Sequence, residues 1–391
     1  MRARAVAVTV ALTAALLAGS AAPALAAAPT APAAAPCPGQ AAPPGPPADE
    51  ETVPVTPLPV PDQPVGGPGM GTCGEVRSPG TAPPPPVGVA SYVVADLDSG
   101  AVLAARAPHA RERPASTLKM LLSLVVTDRL DPSTVVVGTP EDANVDGSRA
   151  GVGPGGRYTV DQLFHGLILN SGNDTANALA RTMGGIPATL AAMQSEARTL
   201  GALDTRPATV SGLDGPGMSS SAYDLALFFR AVAQRPRITT VMHTRTYPFP
   251  GFADKPGFLT SNDDPLLDTP GFIGGKTGFT DAARHTFAGG VDRNGRRLVV
   301  VIMRGEQHPV RMVDQAKALL DWGFATPRTA APVGTLVDPA PTPPSDTATP
   351  AQPAPAAAAS STASTVAIAA GALALLTVVA LLVLRRRRRK A

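Results

Sequence analysis

The sequence is short of the residues on which many hydrolases and metalloproteins depend. Its 391 residues include two cysteines, five histidines and no G-x-S-x-G nucleophile elbow. No histidine has an obvious serine partner, which argues against a Ser-His-Asp hydrolase. Cys37 and Cys73 lack metal-site spacing, and in an exported chain an even pair suggests one disulfide that closes a loop. We therefore expect neither a metal ion nor another cofactor.

A net positive charge is also lacking once the C-terminal tail is set aside. The formal net charge is +3, and residues 385–390 (RRRRRK) contribute six positive charges, which leaves 3 − 6 = −3 for the remainder. A near-neutral to acidic domain offers no electrostatic basis for binding nucleic acid. Because the basic cluster directly follows an apolar stretch, it indicates a membrane flank rather than a nucleic-acid-binding tail.

The two ends carry targeting signals. Residues 1–26 combine two arginines, an apolar stretch and a final Ala-Leu-Ala, the pattern of a secretory signal peptide. An uncleaved anchor is the weaker alternative, because that apolar run is short. Residues 365–384 are uncharged over about 20 positions, enough for a transmembrane helix. The basic tail, 385–391, would stay cytoplasmic, which predicts a single-pass membrane protein with its main domain outside.

Two stretches of low complexity separate these ends from the rest. Residues 27–87 and 326–364 are crowded with proline and alanine, and both cysteines lie in the first of them. Such composition cannot bury a core, and proline-rich tracts behave as extended spacers. The sequence therefore predicts two linkers and one globular domain at residues 88–325.

Hydrophobic periodicity predicts an α+β fold for this domain. Residues 90–105 alternate around Asp-Leu-Asp-Ser-Gly, a β-hairpin signal, and helical spacing follows from 160 to 200 and from 219 to 234. Three strands are predicted at 271–280, 284–293 and 296–305, and an amphipathic helix at 309–324. This order predicts an antiparallel sheet flanked by helices, with a mostly helical inserted region.

Three short motifs carry the chemistry. Ser116 and Lys119 form a Ser-x-x-Lys at the start of an apolar helix, where residues three apart share a face. Taken alone this motif is weak, since serine is also a common helix N-cap. Ser171-Gly-Asn173 and Lys276-Thr277-Gly follow further along the chain. In this order, S-x-x-K, S-x-N and K-T-G are the signature set of penicillin-recognising serine acyl-transferases.

The chain resembles the serine-type D-alanyl-D-alanine carboxypeptidases, the low-molecular-mass penicillin-binding proteins of the β-lactamase/transpeptidase-like superfamily. The resemblance runs from about residue 90 to 324 and includes SGNDTANALA, GLDGPGMSSSAYDLA and the closing DWGF. It implies an active site in a groove between the sheet and the helical region. It also implies removal of the terminal D-Ala from peptidoglycan stem pentapeptides through an acyl-Ser116 intermediate, with β-lactams as covalent inhibitors.

The residue types suit this chemistry. A serine hydroxyl needs an adjacent base, and Lys119 can serve if its pKa is depressed by a second cation, for which Lys276 is the candidate. The resemblance implies that Ser116 attacks the substrate carbonyl, that Lys119 accepts its proton and that Ser171 relays a proton to the leaving D-alanine. It assigns Asn173 to orienting the substrate amide.

The resemblance also assigns the substrate-binding residues. Lys276 and Thr277 would hold the free carboxylate of the peptide, and the backbone N–H groups of Ser116 and Phe279 would form the oxyanion hole. Arg304, on the predicted strand 296–305, is a weaker candidate for a partner of the substrate carboxylate. A solvated arginine at a strand end is an equal alternative interpretation of this residue.

Two alternatives remain: a serine β-lactamase, and an inactive module that binds β-lactams or the cell wall. The middle motif is Ser-Gly-Asn rather than the Ser-Asp-Asn of class A β-lactamases, which favours the carboxypeptidases. Glu196 is the only glutamate between Ser171 and Lys276, and it lacks the E-x-x-L-N context of a deacylating residue. Asp214 and Asp224 are available carboxylates, but GLDGPG around Asp214 resembles the carboxypeptidases, and Asp224 is predicted to be an ordinary helix residue. The intact set of three motifs argues against an inactive module.

Overall fold

A computed structural model describes residues 37–45 and 47–338. The predicted signal peptide, membrane span and basic tail lie outside these residues and remain predictions. Within the described part of the chain, no helix combines the length and apolarity needed to cross a membrane.

The centre of the molecule is an antiparallel sheet of seven strands. Its path is β1-β3-β2-β10-β9-β8, and β11 also pairs with β3. Two two-stranded sheets, β4-β5 and β6-β7, lie outside it. The strands are β1 (Glu75–Arg77), β2 (Val89–Asp96), β3 (Ala101–Arg106), β4 (Val135–Val137), β5 (Arg157–Thr159), β6 (Thr246–Phe249), β7 (Phe258–Ser261), β8 (Phe272–Thr280), β9 (Arg284–Arg293), β10 (Arg296–Gly305) and β11 (Gly334–Thr335).

The described residues contain eight α-helices. They are α1 (Lys119–Arg129), α2 (Pro140–Ala143), α3 (Val160–Leu169), α4 (Asn173–Thr182), α5 (Ile186–Thr199), α6 (Ala222–Val232), α7 (Pro236–His243) and α8 (Met312–Ala325). All but α8 lie between β3 and β6 in the chain, so the helical region is an insertion into the sheet. The predicted α+β architecture is confirmed.

Alternation along the central strands explains why both faces of the sheet are covered. On β10, Val299 and Val301 belong to one buried cluster, whereas Val300 and Ile302 belong to the other. Successive side chains of a strand point to opposite faces, so an apolar run needs a partner on each side. Helix α6 contributes to the first cluster and α8 to the second.

Local signals set the starts of the inserted helices. Thr159 caps α3 in a capping box with Gln162, and the side chain of Ser221 accepts from the Asp224 N–H at the start of α6. The long periodic stretch predicted from residue 160 to 200 is realised as three helices, α3, α4 and α5. The break between α3 and α4 carries Ser171, which has a positive φ of 55°.

The segments predicted as linkers are partly packed. Within 27–87, β1 pairs with β3, Met70 is fully buried in the main core, and Cys37 and Cys73 form a disulfide. After residue 326, β11 also pairs with β3. A proline-rich segment can do this without a core of its own, because an edge strand and single apolar side chains use the core of the neighbouring domain.

Candidate active site

Ser116 lies on a short, strained turn at the start of α1. A 3₁₀ turn, Ala115–Leu118, leads into the helix, and Ala115 has a positive φ of 48°. Such a conformation costs free energy in a non-glycine residue and persists only where the surroundings fix it. Here the carbonyl of Pro114 accepts hydrogen bonds from the hydroxyls of Thr117 (2.6 Å) and Thr286 (2.8 Å). Thr117 lies within the turn itself, so its bond closes the turn internally, and the bond from Thr286 ties the turn to strand β9.

Lys119 lies directly beneath this serine. It is fully buried, and its Nζ lies 2.8 Å from Ser116 Oγ, 2.7 Å from Asn173 Oδ1 and 2.7 Å from the carbonyl oxygen of Ser211. The last two are acceptors only, so the amine must donate to both. A neutral amine has two N–H groups and one lone pair, and these bonds leave the lone pair for the hydroxyl proton of Ser116.

The electrostatic environment favours that neutral amine. Burial, and then the positive charge of Lys276, hold the pKa of Lys119 well below its usual value, while Asp174 acts in the opposite direction. The pKa of Lys276 is lowered too, chiefly by burial, against the pull of Asp263 and Asp264. Two buried lysines in one site therefore favour a deprotonated Lys119.

Asn173 holds Lys119 in place. It begins α4, and while its Oδ1 accepts from Lys119, its Nδ2 donates to the carbonyl of Asp146 (2.7 Å). Next to it, the buried carboxylate of Asp174 accepts the backbone N–H groups of Ala150, Gly151 and Val152 at 2.8–2.9 Å. Sequence reasoning missed Asp174. An aspartate in the first turn of a helix was the available signal.

Ser171 stands in the loop between α3 and α4. Its side chain is nearly buried, and its Oγ finds no hydrogen-bond partner among the described residues. A buried hydroxyl without a partner is uncommon in a folded protein and calls for an explanation such as a catalytic role. Ser171 shares the lining of one cleft with Ser116 and Asn173.

Strand β8 forms the opposite wall and carries the third motif. Lys276 is buried and donates to the carbonyl of Thr277 (3.0 Å). A Cβ built on Gly278 would lie 2.8 Å from the backbone nitrogen of Ser116 and 2.4 Å from the hydroxyl of Thr286. Only glycine allows this approach of β8 to the nucleophile turn, and the approach brings the backbone of Phe279 to the same place.

The cleft between these walls has a volume of about 720 Å³. Five of the seven predicted site residues line it, namely Ser116, Ser171, Asn173, Thr277 and Phe279. The remaining two, Lys119 and Lys276, are buried within hydrogen-bond distance of lining residues. The structure thus brings all seven together, although the sequence separates them by up to 163 positions (116 to 279).

The arginine that lines the cleft is not the one that the sequence suggested. Arg304 is absent from the described cleft lining, and its guanidinium instead donates to the carbonyl of Pro44 (2.9 Å) and lies 3.8 Å from the Glu112 carboxylate. The candidate assignment of Arg304 to a carboxylate site in the cleft is therefore wrong. Arg311 does line the cleft, exposed at the start of α8 and paired with Asp314 at 3.1 Å. No motif marked it in the sequence.

Histidines and the distant glutamate stay outside the nucleophile's contacts. No histidine among the described residues hydrogen-bonds Ser116, and His285 lines the cleft beside the Phe279 ring, with centroids 4.6 Å apart. Glu196 lies on α5, where Asp128 and Arg235 are its charged neighbours. The arrangement is that of a serine hydrolase or transferase whose base is a lysine.

Comparison with known proteins agrees with this class. The family model described as D-alanyl-D-alanine carboxypeptidase matches residues 79–307. D-alanyl-D-alanine carboxypeptidase DacB2 of Mycobacterium tuberculosis is 46% identical over 257 residues, 64% of this chain and 87% of that protein. DacA of Escherichia coli K12 is 32% identical over 255 residues, 61% of this chain and 62% of that protein. The chain therefore spans less than two thirds of the latter.

Solved structures give the same result. A crystal structure of D-alanyl-D-alanine carboxypeptidase from M. tuberculosis has a TM-score of 0.64 and 45% identity, covering 66% of this chain and 99% of that one. The Streptomyces K15 DD-transpeptidase has a TM-score of 0.59 at 23% identity, covering 63% of this chain and 100% of that one, and shows the fold alone. The chain belongs to the D-alanyl-D-alanine carboxypeptidase family and is a serine peptidase.

Proposed function

We propose that the protein removes the terminal D-alanine from peptidoglycan stem pentapeptides through an ester of Ser116. The observation that carries this proposal is the contact between a fully buried Lys119 and Ser116 at 2.8 Å, at the base of a cleft that contains all three motifs. The family and the relatives named above supply the substrate class.

In the first step, Ser116 Oγ attacks the carbonyl carbon of the penultimate D-alanine. Its proton passes to the lone pair of Lys119 Nζ, which the bonds to Asn173 and the Ser211 carbonyl keep directed at the serine. Negative charge develops on the former carbonyl oxygen, and the backbone N–H groups of Ser116 and Phe279 receive it. The close packing of Gly278 on the Ser116 backbone supports this arrangement.

The peptide bond then breaks and D-alanine leaves as an amine. Ser171, whose hydroxyl has no described partner, relays the proton from Lys119 to the departing nitrogen. Water next attacks the ester, which releases the shortened peptide and regenerates Ser116. Before cleavage, the free carboxylate of the peptide binds at Thr277 and is attracted by the positive charge of Lys276. Arg311, exposed in the same cleft, provides a second cation at this mouth.

We further propose that the catalytic domain, residues 88–325, is anchored to the cell membrane. The support is the uncharged segment 365–384 followed directly by the basic tail 385–391, together with the leader-like residues 1–26. This topology places the cleft on the extracellular, cell-wall side. Residues 339–364 then serve as a spacer between the domain and the membrane.

The activity is tested with the full-length chain purified in detergent. We expect release of free D-alanine from a synthetic peptide that ends in Lys-D-Ala-D-Ala, and none from the same peptide ending in L-Ala or from the Ser116→Ala variant. Absence of D-alanine release by a folded wild-type protein that still binds a fluorescent penicillin would instead support an inactive binding module.

The topology is tested separately in intact spheroplasts that express a C-terminally tagged chain. Added protease should digest the catalytic domain and spare the tag, because the tag would lie in the cytoplasm. Protection of the catalytic domain until the membrane is lysed would contradict the proposed orientation.

A further inference from the structure

Residues 37–73 form a disulfide-closed loop, here called the N-terminal arm. It precedes the region matched by the family model, which begins at residue 79. The arm is fastened to residues 109–113, the segment that leads directly into the nucleophile turn. The contacts come from three basic residues at alternate positions of that segment, 109, 111 and 113.

Arg111 binds backbone carbonyl groups of the arm. Its side chain is almost fully buried, and its guanidinium donates to the carbonyl groups of Ala41 (3.0 Å), Leu58 (2.6 Å) and Pro59 (2.8 Å). The Arg111 N–H also donates to the Gly39 carbonyl (2.8 Å). One buried arginine therefore joins two stretches of the arm that lie about twenty residues apart in the sequence.

His109 makes a second attachment. Its Nε2 lies 2.9 Å from the Val65 carbonyl of the arm and its Nδ1 lies 2.7 Å from the Asp204 carboxylate. Both partners are acceptors, so both ring nitrogens must donate, as in an imidazolium ion. Burial lowers the pKa of His109, but the hydrogen bond and charge of Asp204, the Val65 carbonyl and the charge of Asp224 together outweigh burial and raise the pKa overall.

Arg113 is the contact nearest to the nucleophile. Its Nε and Nη2 pair with the two carboxylate oxygens of Glu51, on the arm, at 2.5 and 2.9 Å. Both side chains are largely buried, at 3% and 15% exposure. A bidentate arginine–carboxylate pair fixes orientation as well as position. Arg113 stands three residues before Ser116, next to Pro114, whose carbonyl anchors the strained turn.

The intervening residue is also fixed. The backbone of Glu112 exchanges two hydrogen bonds with that of Ser220, at 2.8 and 2.9 Å. Each of residues 111 to 113 is thus held by hydrogen bonds, and Ala115, with its positive φ, follows after Pro114. Because a strained conformation persists only where its surroundings determine it, the contacts on both sides of Ala115 set where Ser116 stands.

We propose that Glu51 and Arg113 are a positioning pair for the nucleophile, and that the Cys37–Cys73 disulfide holds Glu51 in contact with Arg113. This proposal rests on the assignment of Ser116 as the nucleophile. Neither residue of the pair belongs to the described lining of the cleft. The arm acts through Pro114 and Ala115 on the geometry of Ser116. Loss of the Glu51–Arg113 pair therefore slows acylation of Ser116, while substrate binding by Thr277 and Lys276 is retained.

The test compares two adjacent glutamates in the full-length protein. Glu51→Gln keeps the shape but removes the charge of the pair, whereas Glu50→Gln changes an exposed neighbour. The measured quantities are the rate constant of acylation by a fluorescent penicillin per active site, the fraction of protein labelled and the melting temperature. Displacement of a reacting group by about 1 Å can cost up to about 10²-fold, so we expect Glu51→Gln to lose about tenfold in that rate constant and Glu50→Gln to lose nothing.

A merely stabilising arm gives a different result. Glu51→Gln would then lower the labelled fraction or the melting temperature and leave the rate constant per active site unchanged, and this outcome would overturn the proposal. Labelling of the Ser116→Ala variant would overturn the proposed function instead, so the two failures are distinguishable.

A second measurement does not depend on the folding of a variant. Wild-type protein is treated with a phosphine reductant, breakage of the disulfide is verified by mass spectrometry, and acylation is timed again. We expect the rate constant to fall on reduction and to recover on reoxidation. The Cys37→Ser, Cys73→Ser double variant should have the low rate constant and no response to the reductant. An unchanged rate constant in the fully reduced protein would show that the disulfide has no part in positioning Glu51.

Discussion

Lys119 Nζ lies 2.8 Å from Ser116 Oγ, although the two residues belong to different elements, the lysine to α1 and the serine to the turn before it. A helix start places residues three apart on one face, and burial of α1 takes the amine out of water. The local sequence thus supplies the pair, and the fold supplies the conditions under which the lysine acts as a base.

The first prediction concerns that base. Replacing Lys119 with alanine should abolish both D-alanine release and penicillin labelling, because both reactions need the same activated Ser116. The measurements are free D-alanine and covalent fluorescent label. Lys317→Ala, on α8, is the matched control and should retain both activities. Labelling of Lys119→Ala at the wild-type rate would show that another group accepts the proton.

The second prediction concerns pH. Only neutral Lys119 can accept a proton, and its pKa is lowered by burial and then by Lys276. The acylation rate should therefore rise with pH to a plateau, and the midpoint of this rise should lie below the ordinary lysine pKa of 10.5. In Lys276→Gln the like charge is gone, so protonation of Lys119 becomes easier and the midpoint should move to higher pH.

The matched control for this measurement is Thr277→Val, which removes a hydroxyl from the same strand without changing charge. It should lower the rate at every pH and leave the midpoint where it is. If the midpoint of Lys276→Gln stayed at the wild-type value or moved lower, the second lysine would not be what depresses the pKa of Lys119.

Much of the active site could be predicted because its chemistry resides in short motifs. Ser116 with Lys119, and Lys276 with Thr277, are close in sequence, so local spacing announces them. The three strands 272–280, 284–293 and 296–305 were equally accessible, since their hairpin turns and apolar runs are local signals. Arg311 was missed because its place in the cleft depends on where α8 begins relative to β10, which no local pattern specifies.

The third prediction concerns Ser171. Its buried hydroxyl has no described partner, and a positioned proton relay contributes about 10²–10⁴-fold to a rate. Ser171→Ala should therefore reduce peptide turnover by about that factor while leaving the fold intact. The exposed Ser195, on α5, gives a control substitution to alanine that should change neither turnover nor melting temperature. Full turnover by Ser171→Ala would remove it from the mechanism.

The fourth prediction concerns stability and pH at Glu112. Burial raises the pKa of this carboxyl from 4.5 to about 7, against the opposing charges of Arg304 and Arg113. Between these two values the folded state retains a proton that the unfolded state has lost, so the free energy of unfolding falls as pH rises from about 4.5 to 7. Glu112→Gln cannot ionise and should lose less stability across this window.

The comparison is made between melting temperatures at pH 5 and pH 7.5. Burial also raises the pKa of Asp224 and raises the pKa of Asp264 to about 6, so the wild-type protein has further groups whose effect on stability has the same sign. The difference between Glu112→Gln and wild type therefore isolates Glu112. Glu50→Gln should follow the wild type. Equal losses of stability in Glu112→Gln and wild type would contradict the assignment.

The packing of the arm was beyond sequence reasoning for a physical reason. Its proline-rich composition correctly indicates that residues 37–73 have no core of their own, but it contains no information about the core of a neighbouring domain. Met70 is buried there, and Arg111 binds three carbonyl groups that any sequence would offer. Every residue has a backbone carbonyl group, so the residue types of the arm do not indicate which of its carbonyls an arginine will bind.

The last prediction separates a carboxypeptidase from a β-lactamase. Class A β-lactamases hydrolyse their acyl-enzyme with a glutamate that acts through a bound water. Among the described residues that line the cleft, Asp263 is the only carboxylic acid, and it lies on the Lys276 side. Glu196 stands on α5 among Asp128, Arg129 and Arg235, away from that lining. The cleft thus offers no glutamate that could activate water against the ester.

We therefore expect penicillin to acylate Ser116 and to remain attached, whereas the peptide ester clears faster, because departure of D-alanine opens the site to water and the penicillin leaving group stays tethered. Intact-protein mass spectrometry after a short penicillin pulse should show a single persistent adduct, absent in Ser116→Ala. Loss of the adduct within seconds, with many turnovers of a chromogenic cephalosporin, would mean that a water is activated by a group other than Glu196. In that case the β-lactamase alternative would replace the carboxypeptidase.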